Sequence, residues 1–75
     1  MTKNKNWNWD EVRVYEIVHS YRGQLSPHSG YVLRGTLHQA CAKARERAAF
    51  YGCDQKVIIR KGFTVQVVAA YEEAK

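Results

Sequence analysis

Between Thr36 and Gly52 the apolar positions follow a helical period. Leu37, Ala40, Cys41, Ala44, Ala48 and Tyr51 recur at i, i+3, i+4 and i+7, so they fall within one narrow arc. The boundaries are punctuated. Thr36, with Gln39 three residues on, reads as a capping box, and Gly52 supplies the left-handed residue that stops a helix. Four of the six stripe residues are Ala or Cys, so this helix can lie close on whatever it covers.

On either side the pattern turns strand-like. Glu11 to Tyr21 (EVRVYEIVHSY) is β-branched and aromatic, which predicts a strand. Its two faces compete, with Val12, Val14 and Val18 on one and Tyr15, Ile17 and Tyr21 on the other. Alternation leaves open which of them turns to the helix. Arg22 to Gly30 reads as a nine-residue loop, long for a hairpin connection. Tyr31 to Gly35 is the second strand and Lys56 to Arg60 the third. Lys61-Gly62 is read as a two-residue turn into Phe63 to Tyr71, the fourth. There Phe63, Val65, Val67, Ala69 and Tyr71 alternate with Thr64, Gln66, Val68 and Ala70, and the first set is expected to face the helix. The expected fold class is α+β: a single ββαββ domain over 9–75, an antiparallel four-stranded sheet with one helix packed on one face. Residues 1–8 (MTKNKNWN) read as a flexible N-terminal segment, with Trp7 or Trp9 docking back on the core.

Composition fits one small globular domain. In 75 residues, 45% are hydrophobic and 25% charged, which separates the chain from disordered sequences. Aromatic residues make up 12%, so much of so small a core must be aromatic. The net charge of +5 is unevenly spread. From Arg13 to Lys61 there are nine Lys or Arg against three acids, and Glu72 and Glu73 offset them at the C-terminal end. A basic domain attracts nucleic acid, anionic membranes or acidic proteins, and charge alone does not choose among them. No run approaches a membrane span, and the polar start lacks an apolar export stretch, so a reducing cytoplasm is expected. Cys41 lies on the helix stripe and Cys53 just past the stop. One disulfide is conceivable but unforced, and no zinc spacing is present.

The residues argue for binding rather than catalysis. His19, His28 and His38 share no metal-ligand spacing, and the close acid pairs Asp10/Glu11 and Glu72/Glu73 lie near the ends. Glycines occur singly, so no phosphate loop is read. The expectation is a non-enzyme with no catalytic residue, no metal and no cofactor. Basic side chains are the candidate partner-binding residues: Lys43, Arg45 and Arg47 around the helix stripe, Arg34 and Arg60 on the sheet, and Arg22 in the loop. Arg suits a planar grip on carboxylate or phosphate. Phe50, away from the stripe, is assigned to packing over the last turn or against the N-terminal segment, with a binding anchor as the alternative. A helix covers only one sheet face. On the other, Lys56, Ile58 and Arg60 share a side of strand three and Val32 and Arg34 a side of strand two, with Thr64, Gln66 and Val68 as companions. That face suits single-stranded nucleic acid or a homodimer.

The order of elements resembles two groups of small phage-encoded inhibitors. Leu37-His38-Gln39-Ala40, a Gly-terminated helix and the closing hairpin KVIIRKGFTVQVVAAYEE are similar to a type I-F anti-CRISPR family. YVLRGTLHQACAKARERAAFYG followed by a β-run is similar to small RNA-polymerase inhibitors of lytic phages. Each resemblance covers about two thirds of the chain and rests on element order. It implies a non-enzymatic inhibitor in the host bacterial cytoplasm. The implied partner is a host protein or nucleoprotein complex, RNA polymerase or a CRISPR surveillance complex, with no membrane involved. The alternative is a module that binds DNA or RNA directly.

Overall fold

Nine residues of alternating burial, Arg13–Tyr21 (β2), form the central strand. The computed structural model describes residues 2–3, 8–21, 24–26 and 30–71. The competition between the two faces of β2 is resolved in favour of Tyr15 and Ile17, both fully buried beneath the helix, while Val12 and Val14 are exposed. Val18 is nevertheless buried on the other side. One edge of β2 pairs antiparallel with Tyr31–Gly35 (β4) and, beyond it, with the two-residue strand Gln24–Leu25 (β3). The other edge pairs with Asp54–Lys61 (β5), which pairs in turn with Thr64–Tyr71 (β6).

The fold class is α+β in the expected ββαββ order, but the sheet is wider than four strands. Thr2–Lys3 (β1), within the stretch expected to be a flexible 1–8 segment, pairs with Ala70 and Ala69 of β6. The expected loop contributes Gln24–Leu25 to the sheet, and the backbone N–H of Ser26 donates to the His19 carbonyl at 2.9 Å. Arg22 and His28 lie outside the described residues, as does Trp7.

The helix Leu37–Tyr51 (α1) obeys its punctuation. Gln39 N–H donates to Thr36 Oγ1 at 3.2 Å, and Thr36 N–H donates to Gln39 Oε1 at 2.9 Å, closing the capping box. Gly35 leaves the room that the Gln39 amide occupies, since a Cβ there would collide with Gln39 Oε1. Gly52 sits at φ 67°, ψ 30°, and its N–H caps the Ala48 carbonyl. Leu37, Ala40, Cys41, Ala44 and Ala48 are buried as the stripe requires. The first four of these meet Tyr15, Ile17, Val57, Ile59, Val68 and Ala69, with Trp9, Leu33 and Tyr71 packed at the margin. Trp9 docks on the core margin. Its carbonyl accepts the Leu37 N–H at 3.2 Å, satisfying one of the donors a helix start leaves open. Both cysteines are buried, and neither forms a disulfide.

Three expectations are corrected. Tyr51 is half exposed and leaves the core stripe, because the last turn overhangs the sheet at the His19 end of β2. The hairpin turn is Gly62-Phe63, one residue later than read, with Lys61 paired to Thr64 and Gly62 at φ 60°. Phe63 is therefore fully exposed at a turn tip. The third correction is a reversal of facing in β6. Val57 pairs with Ala69 but Ile58 pairs with Val67, so Val68 is the extra residue of a β-bulge. The bulge turns both Val68 and Ala69 toward the helix and puts Val65 and Val67 on the open face. One inserted residue thus reverses the expected facing of half a strand.

Candidate basic–aromatic cleft

Lys43, Glu46, Arg47 and Phe50 recur at i, i+3, i+4 and i+7, so they form a second row along α1, beside the buried stripe. That row overhangs the start of β4. Tyr31 pairs with Ile17 and so points to the helix side of the sheet. It is too far along β4 for the helix to cover fully and remains 38% exposed. The result is a cleft of about 280 Å³ lined by Tyr31, Lys43, Glu46, Arg47, Phe50 and Tyr51.

Its interior is organised by cation–ring contacts. The Arg47 guanidinium lies 5.5 Å from the Tyr31 ring and 5.1 Å from the Tyr51 ring, and Lys43 Nζ lies 5.3 Å from Tyr31. At partly exposed sites such contacts contribute roughly 0.5–1 kcal/mol each, enough to hold a long side chain in place. Lys43 also meets Glu46 Oε2 at 3.1 Å, one helical turn on. Phe50 is 80% exposed and stacks edge-on against Tyr51 at 4.9 Å. It does not fold into the core, and the N-terminal Trp9 packs elsewhere, against His38 at 5.1 Å.

Behind the cleft lies a polar relay centred on buried Gln55. Arg47 Nε donates to Gln55 Oε1 at 3.4 Å, and Gln55 Nε2 donates to His19 Nδ1 at 2.6 Å. Since an amide nitrogen only donates, His19 Nδ1 is the acceptor in this contact. Gln55 is fully buried, so each amide atom needs a partner, and Nε2 also donates to the Cys53 carbonyl at 3.3 Å. Cys53 Sγ is 3.4 Å from His19 Nδ1, and its contact with Tyr21 raises that phenol above its ordinary value of 10.0. Tyr51 closes the relay edge-on over His19 at 4.7 Å. The relay fixes Arg47 from below while the two tyrosines hold it from the sides.

The expected basic residues are therefore divided among separate surfaces. Lys43 and Arg47 meet in the cleft, and Arg45 is exposed elsewhere on the helix. Arg34 and Arg60 lie on the opposite face of the sheet. Arg60 Nε and Nη2 donate to the two Glu16 carboxylate oxygens at 2.8 and 3.0 Å. This bond chiefly holds the Glu16 carboxyl below its ordinary value against the opposing effect of burial. Arg22 lies outside the described residues. Sequence reasoning missed Tyr31, Tyr51, Gln55 and His19. The row Lys43, Arg47, Tyr51 at i, i+4, i+8 was a visible signal for one of them. The other three depend on strand register.

Among the described residues no group of three or more His, Cys, Asp or Glu is placed to hold a metal ion. No described helix is long and apolar enough to cross a membrane. The molecule is a small basic α+β domain with a cation–aromatic cleft on one helix edge. Comparison with protein-family models, curated proteins and solved structures gives no match for the chain.

Proposed function

We propose that this protein is a non-enzymatic binding module that grips an anionic surface of a partner protein through the Tyr31–Lys43–Arg47 cleft. The observation that carries this reading is the seating of Arg47 between two tyrosine rings, with its Nε bonded to buried Gln55 and an exposed Phe50 at the rim. A guanidinium held in this way loses little freedom when it meets a carboxylate, and an exposed aromatic beside it is the usual form of an interface anchor. In its most specific form the partner is a host nucleic-acid machine, RNA polymerase or a CRISPR surveillance complex. The protein then acts as a phage-encoded inhibitor in the bacterial cytoplasm by covering one of that machine's surfaces. Element order supports that form, and the cleft supports the coarser one.

A second reading, direct binding of single-stranded DNA or RNA, is favoured by the exposure of Phe50 beside two cations. A base can stack on the ring while phosphates meet Lys43 and Arg47. The test is capture of bacterial lysate proteins on immobilised wild-type protein and on Arg47→Glu, with and without nuclease. The proposal predicts nuclease-resistant capture that Arg47→Glu loses. Capture abolished by nuclease, with oligonucleotide binding that weakens steeply with salt, would establish the second reading instead. Equal capture by both proteins would remove the cleft from the function.

A further inference from the structure

We propose that the outer edge of β4 takes an extended acidic segment of a partner protein as an added strand, with one carboxylate seated beneath the Lys43–Arg47 row. The proposal rests on the cleft reading above and adds the form of the partner to it. Among the described residues β4 pairs with β2 alone, so its other edge carries no strand. Register shows what that edge presents. The Ser26 N–H donates to the His19 carbonyl, so His19 turns its backbone groups toward β3 and β4. Alternation along β2 gives Ile17 and Tyr15 the same direction. Their partners Tyr31 and Leu33 bond inward, and Val32 and Arg34 therefore point their N–H and C=O groups outward. Such a row of outward backbone groups is a template for one more strand. Five residues at about 3.3 Å each make it long enough for a short peptide.

The cleft stands over the same strand. α1 packs chiefly over β2, β5 and β6, so its outer row, Lys43 and Arg47, reaches over Tyr31 at the margin of the sheet. A strand added to β4 lies about 4.8 Å further out. Its residue opposite Tyr31 turns its side chain to the same side of the sheet, under that row. The cleft lining holds two cations, Lys43 and Arg47, against one acid, Glu46, so it is net positive and selects a carboxylate at this position. The next residue of the added strand turns to the other side, beside Val32, where an apolar side chain covers a valine that is 66% exposed. Main-chain bonds thus supply the hold, and alternate side chains supply the choice: an acid toward the helix and an apolar residue away from it. The β4 edge of a second copy does not fit this pattern. On the helix side it carries Tyr31 and Leu33 without an acid, and it brings its own Lys43 and Arg47 to the seam.

The probe is a capped octapeptide of alternating Glu and Val, titrated to roughly millimolar concentration into the isotope-labelled full chain and followed through the amide resonances. The expected result is saturable binding that shifts the amides of Tyr31–Gly35 and slows hydrogen exchange at Val32 and Arg34. Arg47→Glu should weaken it about ten-fold or more by removing the cation. Val32→Pro should weaken it about as much by removing an outward donor that the fold itself does not use. Arg45→Glu, equal in charge to Arg47→Glu, should leave it unchanged. Circular dichroism shows whether each variant remains folded. If Val32→Pro does not fold, the same peptide N-methylated throughout, titrated into wild-type protein, makes the backbone test and should bind about ten-fold more weakly or less. No binding at millimolar peptide would overturn the proposal. So would equal binding of the matching Lys–Val peptide, or binding undisturbed by Val32→Pro or by N-methylation. Any of these, with lysate capture still lost in Arg47→Glu, leaves the cleft reading standing without strand addition. Capture retained by Arg47→Glu removes the cleft reading itself.

Discussion

Both faces of the sheet are rich in β-branched residues, yet those beneath the helix are sealed while most of those on the other face reach solvent. Beneath α1, Tyr15, Ile17, Val57 and Ile59 are sealed by a helix whose contact stripe is mostly Ala and Cys. On the other face, Val14, Val32, Val65 and Val67 face outward around one ion pair. β-Branched content therefore does not decide which side of this sheet is the core. The decision comes from what lies over it. Small helix residues allow close approach on one side, and the bulge at Val68 turns two residues of β6 toward them.

The largest expected contrast comes from large-to-small changes on the two faces. Leu37→Ala removes a fully buried side chain and should destabilise by about 2–5 kcal/mol. Val14→Ala should cost less than about 1 kcal/mol. For a domain of this size each kcal/mol corresponds to roughly 4–8 °C of melting temperature, so the two variants should be clearly separated. Similar losses would mean the open face is as well packed as the core.

Ala44→Leu sharpens the same point from the helix side. Ala44 is fully buried at the helix–sheet contact, so the larger side chain should overpack by about 1–3 kcal/mol. An unchanged melting temperature would mean the stripe does not rest closely on the sheet. Thr36→Ala should cost about 1 kcal/mol by opening the capping box, and should leave partner capture intact because Thr36 is remote from the cleft.

The smallest effect belongs to the open face's ion pair. Arg60 lowers the Glu16 carboxyl below its ordinary value, first through their hydrogen bond. The pair's stabilisation is therefore full above the ordinary carboxylate range and fades as pH falls through the lowered value. The melting-temperature difference between wild type and Glu16→Gln should be constant from about pH 6 to 8 and vanish on acidification. A difference that grows in acid would contradict this pairing. The effect is small because Arg60 is largely in water.

The helix was legible almost to the residue because its signals are local: a capping box, a left-handed glycine and a narrow stripe all lie within one segment. The order of the main elements was legible for the same reason. The facing of β6 was not, because a bulge shows only in the pairing of Val57 with Ala69 and Ile58 with Val67, and alternation assumes no extra residue. The cleft was half legible. Lys43, Arg47 and Phe50 share a helix row, but Tyr31 reaches Arg47 only through the register of β4 on β2, and Gln55 reaches it only through β5. Such contacts between residues distant in sequence leave no periodic trace.

The central claim is that recognition belongs to the helix edge and not to basic charge in general. Lysate capture by Arg47→Glu, Arg45→Glu and Arg34→Glu, compared at equal net charge, tests it most directly. Arg47 sits in the cleft, Arg45 is exposed elsewhere on the same helix, and Arg34 lies on the open face. Arg47→Glu should lose capture while the other two retain it. Equal weakening by all three variants, or loss confined to Arg34→Glu, would contradict it.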